Sequence, residues 1–404
     1  MHQPAPRCVI FDATTNSQER STMPIGADLP AIRRELHRRP ELSRREAATA
    51  ELIAAYARRA GADEVVGGLG GHGVAAVLEG ASIDGPTVLL RADLDALPIP
   101  DRSGAAYASE VAGVGHMCGH DGHMTIMLGA LARLAARRAE LAGRVICLFQ
   151  PAEEIAHGAR AVLEDPAFAT LRPDYAFALH NLPGFPLGSL ILRRGIFASA
   201  SRGVKVYLHG ETSHAGHPED ARSPAAAVAA LIDDLQALPA LTTPLERAAL
   251  VTVIHAVLGE EAFGTTPGEA VVMATLRAHR DAEMERLCQA ARRLAAGTAS
   301  AWNLEHELEW VEVFPAVVND DTCVGHLERV ADELKLEIVR PAEPFPWSED
   351  FGCLLNAFPG ALFGLGAGVE HPQLHSSHYD FPDELLQPGV EIWTTLMEKL
   401  LTRR

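Results

Sequence analysis

Strand-like and helix-like segments alternate along this 404-residue chain, and the alternation limits its fold more than any other feature. Strands that are separated by helices are typical of a largely parallel sheet with helices on its faces. The sequence therefore predicts an α/β domain whose mostly parallel sheet has helices on both faces. The strand-like stretches of the N-terminal half are GVAAVLEG, TVLLRADLDALPI, RVICLFQPAEE and DYAFALH, and three of them end in a polar cluster.

The pattern changes after about residue 198. Strand-like and helix-like segments then follow in the order β-α-β-β-α-β, which is typical of a small α+β ferredoxin-like domain. From about residue 315 the earlier alternation returns, so the second domain is predicted to be inserted into the first. The predicted parts are an N-terminal arm (1–28), a first catalytic-domain part (29–198), the inserted domain (199–313) and a second catalytic-domain part (314–404).

Capping and stop residues predict where individual helices begin and end. The first helix is expected from Leu29 to about Arg38, ahead of Pro40. Ser43 and Glu46 have the spacing of a capping box before a second helix, which Gly61 would end. Further helices are expected over 122–140, 223–238, 281–299 and 383–401.

Charge and composition restrict the possible partners. Hydrophobic residues make up 48% of the chain, which is typical of a folded globular protein. The net charge of −18 disfavours nucleic acid and anionic membrane surfaces as partners, which leaves a small-molecule substrate. No signal peptide and no apolar run of about 18 residues were recognised. The six cysteines have no paired spacing, so we expect reduced thiols and a cytoplasmic protein.

One stretch, GVGHMCGHDGHMT at 113–125, concentrates groups that bind metals or orient their ligands. Cys118 and His120 are two residues apart, so both side chains can point the same way in an extended or turning segment. Thiolate, imidazole and carboxylate together are the ligands of zinc, manganese or cobalt. The stretch contains His116, Asp121 and His123, and candidates elsewhere are Glu153, Glu154, His180, His375 and His378.

The adjacent Glu153 and Glu154 suggest a hydrolytic reaction. One carboxylate can bind a metal while its neighbour, outside the coordination shell, takes a proton from water. A divalent metal lowers the pKa of bound water to about 7, so hydrolysis can proceed at neutral pH.

These motifs, in this order and spacing, resemble the aminoacylase–carboxypeptidase superfamily of metal-dependent amidohydrolases. The branch that they resemble most contains the hippurate hydrolases and the indole-acetyl-amino-acid hydrolases. The resemblance runs from about residue 29 to the C-terminus and implies a zinc-exopeptidase-like catalytic domain. The motifs that carry it are LHRRPELSRREAATAELI, RADLDALPI, GHMCGHDGHM, FQPAEE, LHN, SHAGHP and LHSSHYDF.

The chain departs from most of this superfamily at Arg91-Ala92-Asp93, where a histidine metal ligand usually stands in place of Arg91. The resemblance implies that Cys118 instead bridges two divalent metal ions and that His120 supplies the missing imidazole. One ion would be held by Cys118, His120 and His180. The other would be held by Cys118, Glu154 and His375.

The resemblance also implies roles beyond the metal ligands. Glu153 would be the general base and then the proton donor to the leaving amine. Asp93, and with it Asp121, would orient ligands. His214 would reach across a homodimer, formed by the inserted domain, to stabilise the oxyanion on the substrate. Arg277 would bind a substrate carboxylate. The alternative is that Arg277 is a solvated residue at a strand edge.

Three functions fit these residues. The first is hydrolysis of the amide bond of an N-acyl amino acid, whose acyl group can be aromatic. The second is hydrolytic removal of an amino group from an aromatic or amidine-like carbon at the same site, which would release ammonia. The third is a metal-binding or regulatory protein without turnover, against which Glu153 argues, since metal storage needs no general base.

Overall fold

A computed structural model describes residues 28–244 and 246–402 of the chain. These residues form two compact units. The first contains the described residues up to Phe197 together with Val318–Glu343 and the segment from Asp350 onward. The second contains Ala198–Val317 and the short segment Pro344–Glu349, which the sequence analysis did not group with it. The predicted N-terminal arm, apart from its last residue, lies outside the described residues.

The first unit is built on an eight-stranded sheet in the order β1-β2-β4-β3-β5-β16-β6-β15. The pairs β4–β3, β3–β5, β5–β16 and β6–β15 are parallel. The strands are β1 (Glu64–Leu69), β2 (Gly73–Glu79), β3 (Ser82–Asp93), β4 (Ala142–Gln150), β5 (Tyr175–Leu182), β6 (Leu190–Ile191), β15 (Ile338–Val339) and β16 (Gly360–Gly366). Two short strands, β7 (Gly195–Ala198) and β14 (Val317–Asn319), contain unit boundaries.

Helices cover this sheet. Side chains of both alternating sets in β4 are buried, including Ile146 and Cys147, so neither face of that strand is exposed to solvent. The predicted fold class is confirmed. The helices of the unit are α1 (Leu29–Arg38), α2 (Ala47–Ala60), α3 (His120–Ala136), α4 (Gly158–Glu164), α7 (Asp321–Leu334), α8 (Gly352–Ala357) and α9 (Leu386–Leu401), with 3-10 turns at Arg138–Glu140, Phe168–Thr170 and Asp383–Leu385.

The second unit is an antiparallel sheet in the order β10-β12-β8-β13 with two helices that pack on it and on each other. Its elements follow in the predicted order β-α-β-β-α-β. They are β8 (Ala200–His209), α5 (Ala225–Thr242), β10 (Ala249–Leu258), β12 (Glu269–Ala278), α6 (Asp281–Ala301) and β13 (Glu305–Phe314), with a small ladder of β9 (Ser213–His214) and β11 (Thr265–Thr266) and a 3-10 turn at Pro218–Asp220.

Two helix ends agree with prediction and one predicted cap is wrong. Helix α1 covers the predicted range, and Asp28 caps it by accepting a hydrogen bond from the Ala31 N–H. Gly61 ends α2 in the left-handed conformation. The capping box is wrong: α2 begins at Ala47, and neither Ser43 nor Glu46 caps it, because both side chains bind other segments.

Three other helices begin at different residues from those predicted. Helix α3 begins earlier, at His120, directly after the left-handed Gly119. Helix α5 begins later, at Ala225, because Pro224 occupies the position before it. Helix α9 begins at Leu386, after a 3-10 turn that contains Asp383. Helix α6 begins at Asp281 as predicted.

Helix α5 is 18 residues long, with a mean hydropathy of 1.3, and by length and composition alone it could cross a membrane. This stretch was not recognised as an apolar run in the sequence. Its buried side chains, among them Leu231 and Leu235, belong to the core of the second unit. Because 28% of the helix is buried, one side of it packs in this core.

Candidate metal centre

Parallel strands β3, β4 and β5 bring the candidate residues of the first unit to one edge of the sheet. Asp93 ends β3, Glu153 and Glu154 follow β4, and His180 lies near the end of β5. The carboxyl ends of parallel strands are the usual position of a site in such a sheet. Chain topology, rather than nearness in sequence, therefore assembles the cluster.

The structure brings both predicted ligand sets together. The Sγ of Cys118 and one ring nitrogen each of His120 and His180 lie within 4.8 Å of one another. The same limit holds for Cys118, Glu154 and His375. Cys118 belongs to both groups, which is the arrangement expected of a bridging ligand.

Gly119 allows two neighbouring ligands to point into the cluster. Its φ of 91° lies in the left-handed region, and a Cβ there would lie 2.5 Å from the Asn181 Oδ1. Only glycine fits such a position. The bend places Cys118 just before α3 and makes His120 its first residue.

Both imidazoles of the first set are oriented for metal binding. The Nδ1 of His120 lies 2.8 Å from the Asp95 carbonyl oxygen, and the Nδ1 of His180 lies 2.8 Å from the Asn181 carbonyl oxygen. A carbonyl only accepts, so Nδ1 carries a proton in each ring, which leaves Nε2 as the nitrogen that can bind a metal. The His180 Nε2 lies 3.5 Å from the Cys118 Sγ.

Left-handed backbone occurs at two non-glycine positions of the site. Ala152, just before Glu153, has a φ of 50°, and His375 has a φ of 64°. Such conformations cost about 1–3 kcal/mol and persist where surrounding contacts impose them. The His375 N–H donates to the Met117 carbonyl at 2.8 Å, which ties this ligand to the segment that carries Cys118.

The protonation of the cluster fits a cation site. Burial, reinforced by the charge of Glu154, raises the pKa of the Cys118 thiol. Burial acts against protonation of His120, but the charges of Asp93 and Cys118 outweigh it and raise the histidine pKa. A divalent cation would displace these protons, because its ligands bind it deprotonated. The softness of the thiolate and the lone pairs on Nε2 suit the metals named above.

The two glutamates differ in their surroundings. Glu154 has its Oε2 3.6 Å from the Nε2 of His375, and its backbone N–H donates to the Asp95 Oδ2 at 3.1 Å. The Glu153 carboxylate accepts a long hydrogen bond of 3.4 Å from the Asp350 N–H. Carboxylate oxygens of both lie within 4.8 Å of a His120 ring nitrogen. Glu153 is therefore close enough to act on a water held in the cluster.

Asp93 lies beside the ligands. Its Oδ1 is 2.7 Å from the His123 Nδ1, its Oδ2 is 2.7 Å from the Arg91 Nη1, and the same Oδ2 is 3.6 Å from the His120 Nε2. Burial favours the neutral acid, but His120, His123 and Arg91 together lower the pKa of Asp93 well below its usual range. Asp93 therefore stays ionised beside the ligand His120.

Asp121 contacts a different set of residues. Its Oδ2 lies 2.8 Å from the His37 Nδ1 and 3.3 Å from the Arg33 Nη1, and all three side chains are buried. The predicted role of Asp121 in orienting ligands thus has no direct contact with a ligand histidine to support it. Its contacts instead fasten the start of α3 to α1.

The two candidates of the second unit lie in different surroundings. His214, on β9, is exposed, and its Nδ1 accepts a hydrogen bond from the Gly216 N–H at 3.0 Å. Arg277, on β12, is half-buried, and its Nη1 donates to the Pro346 carbonyl and to the Ser348 hydroxyl. Burial lowers the pKa of Arg277. The predicted roles of both residues stay predictions.

The sequence analysis missed several residues of the centre. Asp95 holds His120 through its carbonyl and Glu154 through its carboxylate, and its place in RADLD, two residues after Asp93, could have indicated it. Arg91, buried, also donates to Gln150 and Asp350, a role that no local pattern shows. His123 is buried, and its Nδ1 lies 2.7 Å from the Asp93 Oδ1.

The two methionines of the stretch 113–125, Met117 and Met124, are fully buried. His116 is buried, and neither of its ring nitrogens has a hydrogen-bond partner among the described residues. His157 and His378 belong to none of the potential metal-binding groups found in the described part of the chain.

Comparisons with known proteins agree with this geometry. The model of "Peptidase family M20/M25/M40" matches residues 89–399. The chain is 32% identical over 367 residues to an N-acetylcysteine deacetylase of Bacillus subtilis, covering 90% of this chain and 94% of the relative. It is 32% identical over 373 residues to a hippurate hydrolase of Campylobacter jejuni, covering 92% and 96%.

A solved structure is similar over nearly the whole chain. It is that of the YXEP protein of Bacillus subtilis, described as a dinuclear metal binding peptidase from the M20 family. The TM-score is 0.78 at 30% identity, and the match covers 93% of this chain and 98% of that one.

Proposed function

Because this chain belongs to peptidase family M20/M25/M40, we propose that it hydrolyses the amide bond of N-acyl amino acids at a dinuclear metal centre. The resemblance drawn from the sequence motifs is confirmed. The observation that carries the proposal is the membership of Cys118 in two ligand groups with Glu153 beside them. Two relatives are named for N-acetylcysteine and hippurate, both N-acylated amino acids.

The residues present fit two divalent ions, one held by Cys118, His120 and His180 and the other by Cys118, Glu154 and His375. When bound, such ions lower the pKa of water and polarise the amide carbonyl. Zinc suits the thiolate best, and manganese or cobalt suits the mixed nitrogen and oxygen ligands. Metal analysis of the purified protein distinguishes among them.

Glu153 performs the proton transfers. Its carboxylate takes a proton from the attacking water and later delivers that proton to the nitrogen of the leaving amino acid. Asp93 stays ionised and supports His120. Arg277 lies on the second unit, where its guanidinium can meet the substrate carboxylate in a bidentate pair.

A substrate panel tests the proposed reaction. N-acetyl, N-benzoyl and indole-acetyl amino acids are supplied to the metal-loaded protein, and free amino acid and ammonia are measured separately. We expect free amino acid without ammonia. Ammonia would instead support the hydrolytic deaminase, and no turnover of any compound, despite two bound metals, would support a protein without catalysis.

We also propose a homodimer in which the second unit of each subunit pairs with its copy. Strand β10 lies at the edge of its sheet, and four of its apolar side chains are more than two-fifths exposed. An exposed apolar edge strand is a template for pairing with another chain. These side chains are Leu250, Ile254, Val257 and Leu258.

The dimer gives the exposed His214 its role, which is to stabilise the oxyanion in the site of the other subunit. Inactive His214→Ala subunits are mixed with inactive Glu153→Gln subunits and allowed to exchange. About half of the dimers are then mixed, and each has one intact site, so activity should approach about a quarter of wild type per site. No recovery after demonstrated exchange would contradict action in trans.

We propose that the protein works in the cytoplasm. Cys118, Cys147, Cys288 and Cys323 are buried thiols, which supports a reducing compartment.

A further inference from the structure

The segment before α2 contacts the turn that carries the two active-site glutamates. Glu46 is fully buried, and its Oε1 accepts a hydrogen bond of 2.8 Å from the Ala152 N–H, 106 residues away in sequence. Ala152 is the left-handed residue directly before Glu153. The Glu46 carboxylate therefore holds the backbone at a left-handed position of the turn.

A second contact from the same segment supports the other side of Glu153. The Ser43 hydroxyl donates to the Asp95 Oδ2 at 2.7 Å, and this oxygen also accepts the Glu154 N–H at 3.1 Å. The N–H groups on both sides of Glu153 are thus bound by carboxylates. One of these is Glu46 itself, and the other is oriented by Ser43.

The helix that follows does not explain why Glu46 is buried. Glu46 precedes the first residue of α2, yet its side chain makes no capping hydrogen bond to that helix. A buried carboxylate is costly unless hydrogen bonds compensate for its lost hydration. The Ala152 N–H supplies such a bond. The contact of Glu46 with the turn, rather than with α2, therefore accounts for its position.

We propose that Glu46, together with Ser43 acting through Asp95, positions the turn so that Glu153 reaches the attacking water and Glu154 reaches the second metal ion. The inference rests on the function proposed above. Both residues would act through the turn and through Asp95, so both are positioning residues. Residues that position active-site side chains affect catalysis, because a displacement of such a side chain by about 1 Å can lower the rate about 10²-fold.

The test compares three glutamate variants. Glu46→Ala removes the acceptor for the Ala152 N–H, whereas Glu46→Gln keeps a side-chain oxygen that can accept it. Glu41→Ala is the matched control, because the hydrogen bonds of the Glu41 Oε2 within the described residues go to Thr49 of α2, at 2.7 Å to the backbone N–H and 2.8 Å to the hydroxyl. For each variant we measure kcat, KM and the affinity of the metal-free protein for two equivalents of Zn²⁺ in competition with a chelator.

For Glu46→Ala we expect kcat to fall about 10–100-fold with KM nearly unchanged, and the weaker Zn²⁺ equivalent to lose about 10–100-fold in affinity. Glu46→Gln should recover most of both quantities. Glu41→Ala should keep the kcat and the Zn²⁺ affinities of wild type, even if its thermal stability is lower. Ser43→Ala is a milder change and should also lower kcat. This variant tests the proposal if Glu46→Ala does not fold.

The Zn²⁺ titration separates failure of this inference from failure of the proposed function. If wild type cleaves no N-acyl amino acid but Glu46→Ala still weakens one Zn²⁺ equivalent, the function is wrong and the positioning role stands. If wild type is active and Glu46→Ala keeps kcat and both affinities, the positioning role is wrong. Equal losses in Glu41→Ala and Glu46→Ala would also overturn it, because they would indicate a general effect on α2.

Discussion

The two units differ in how deeply they bury most of their candidate functional residues. In the first unit Cys118 is 6% exposed and His120 is 1% exposed, and neighbouring carbonyls and carboxylates fix the surrounding groups. In the second unit His214 is exposed and Arg277 is half-buried. Among the predicted ligands of the first unit, His375 alone is exposed, and the others are held in place by the fold, as catalysis by fixed polar groups requires. In the second unit, the proposed role of His214 depends on a partner subunit, and that of Arg277 depends on a bound substrate.

The largest expected effect is on metal content, and it distinguishes a cysteine of the metal centre from a cysteine of the core. Cys118→Ala should lose most of both metal ions, because one substitution removes a ligand from each. Cys147→Ala, on the buried strand β4, should keep both ions and lose about 1–2 kcal/mol of stability. Metal analysis of the two variants checks this. Equal retention would contradict a shared ligand.

The next effect separates catalysis from metal binding inside the first unit. Glu153→Gln should lower kcat by about 10²–10⁴-fold, the usual cost of losing a general base. Its metal content should stay near that of wild type, because Glu153 belongs to neither of the two proposed ligand sets. Loss of one ion per subunit would mean that Glu153 and Glu154 have exchanged roles.

His214→Ala tests whether the exposed residue of the second unit takes part in catalysis. We expect kcat to fall by about 10²–10³-fold, as after loss of one oxyanion donor. Metal content and thermal stability should not change, because His214 lies on the surface. His217→Ala, three residues along the chain and also exposed, is the control and should keep kcat. Comparable losses in both variants would assign the effect to the loop.

The smallest expected effect depends on pH and concerns the base of α3. His37 lies between Asp121 and Asp101, at 2.8 and 3.1 Å. Burial opposes protonation, but the charge of Asp121 and its hydrogen bond outweigh burial and raise the pKa of His37. Its stabilising contribution is therefore fully present below the ordinary histidine pKa of about 6.5 and is lost as the pH rises through the raised value.

Urea unfolding of the metal-free protein measures this contribution. His37→Gln should cost about 1–3 kcal/mol at about pH 6 and less at about pH 9. The exposed His306→Gln, on β13, should cost little at either pH. A larger loss for His37→Gln at the higher pH would reverse the predicted sign.

Much of the metal centre could be predicted because topology determines it. Once β3, β4 and β5 are parallel neighbours, the residues at their carboxyl ends must meet, and the motif spacing places Cys118 and His120 among them. Gly61 ends α2 as predicted, since a left-handed stop is a local property.

The supporting contacts could not be predicted, because they join segments that are distant in sequence. The spacing of Ser43 and Glu46 indicates a helix cap, and only the folded chain shows that Glu46 binds Ala152 instead. The burial of Arg33 on α1 likewise has no local cause, because its partner Asp121 lies 88 residues away. Local patterns therefore predicted residues that the fold brings together in the candidate centre, but not the residues that hold them in place.

Anomalous diffraction from crystals grown with Zn²⁺ tests the central claim, a dinuclear centre bridged by Cys118, most directly. The account predicts two zinc peaks per subunit, each about 2.3 Å from the Cys118 Sγ, the usual zinc–sulfur distance. One peak should adjoin His120 and His180, and the other Glu154 and His375. A single peak at full zinc loading, or two peaks of which only one contacts Cys118, would contradict it.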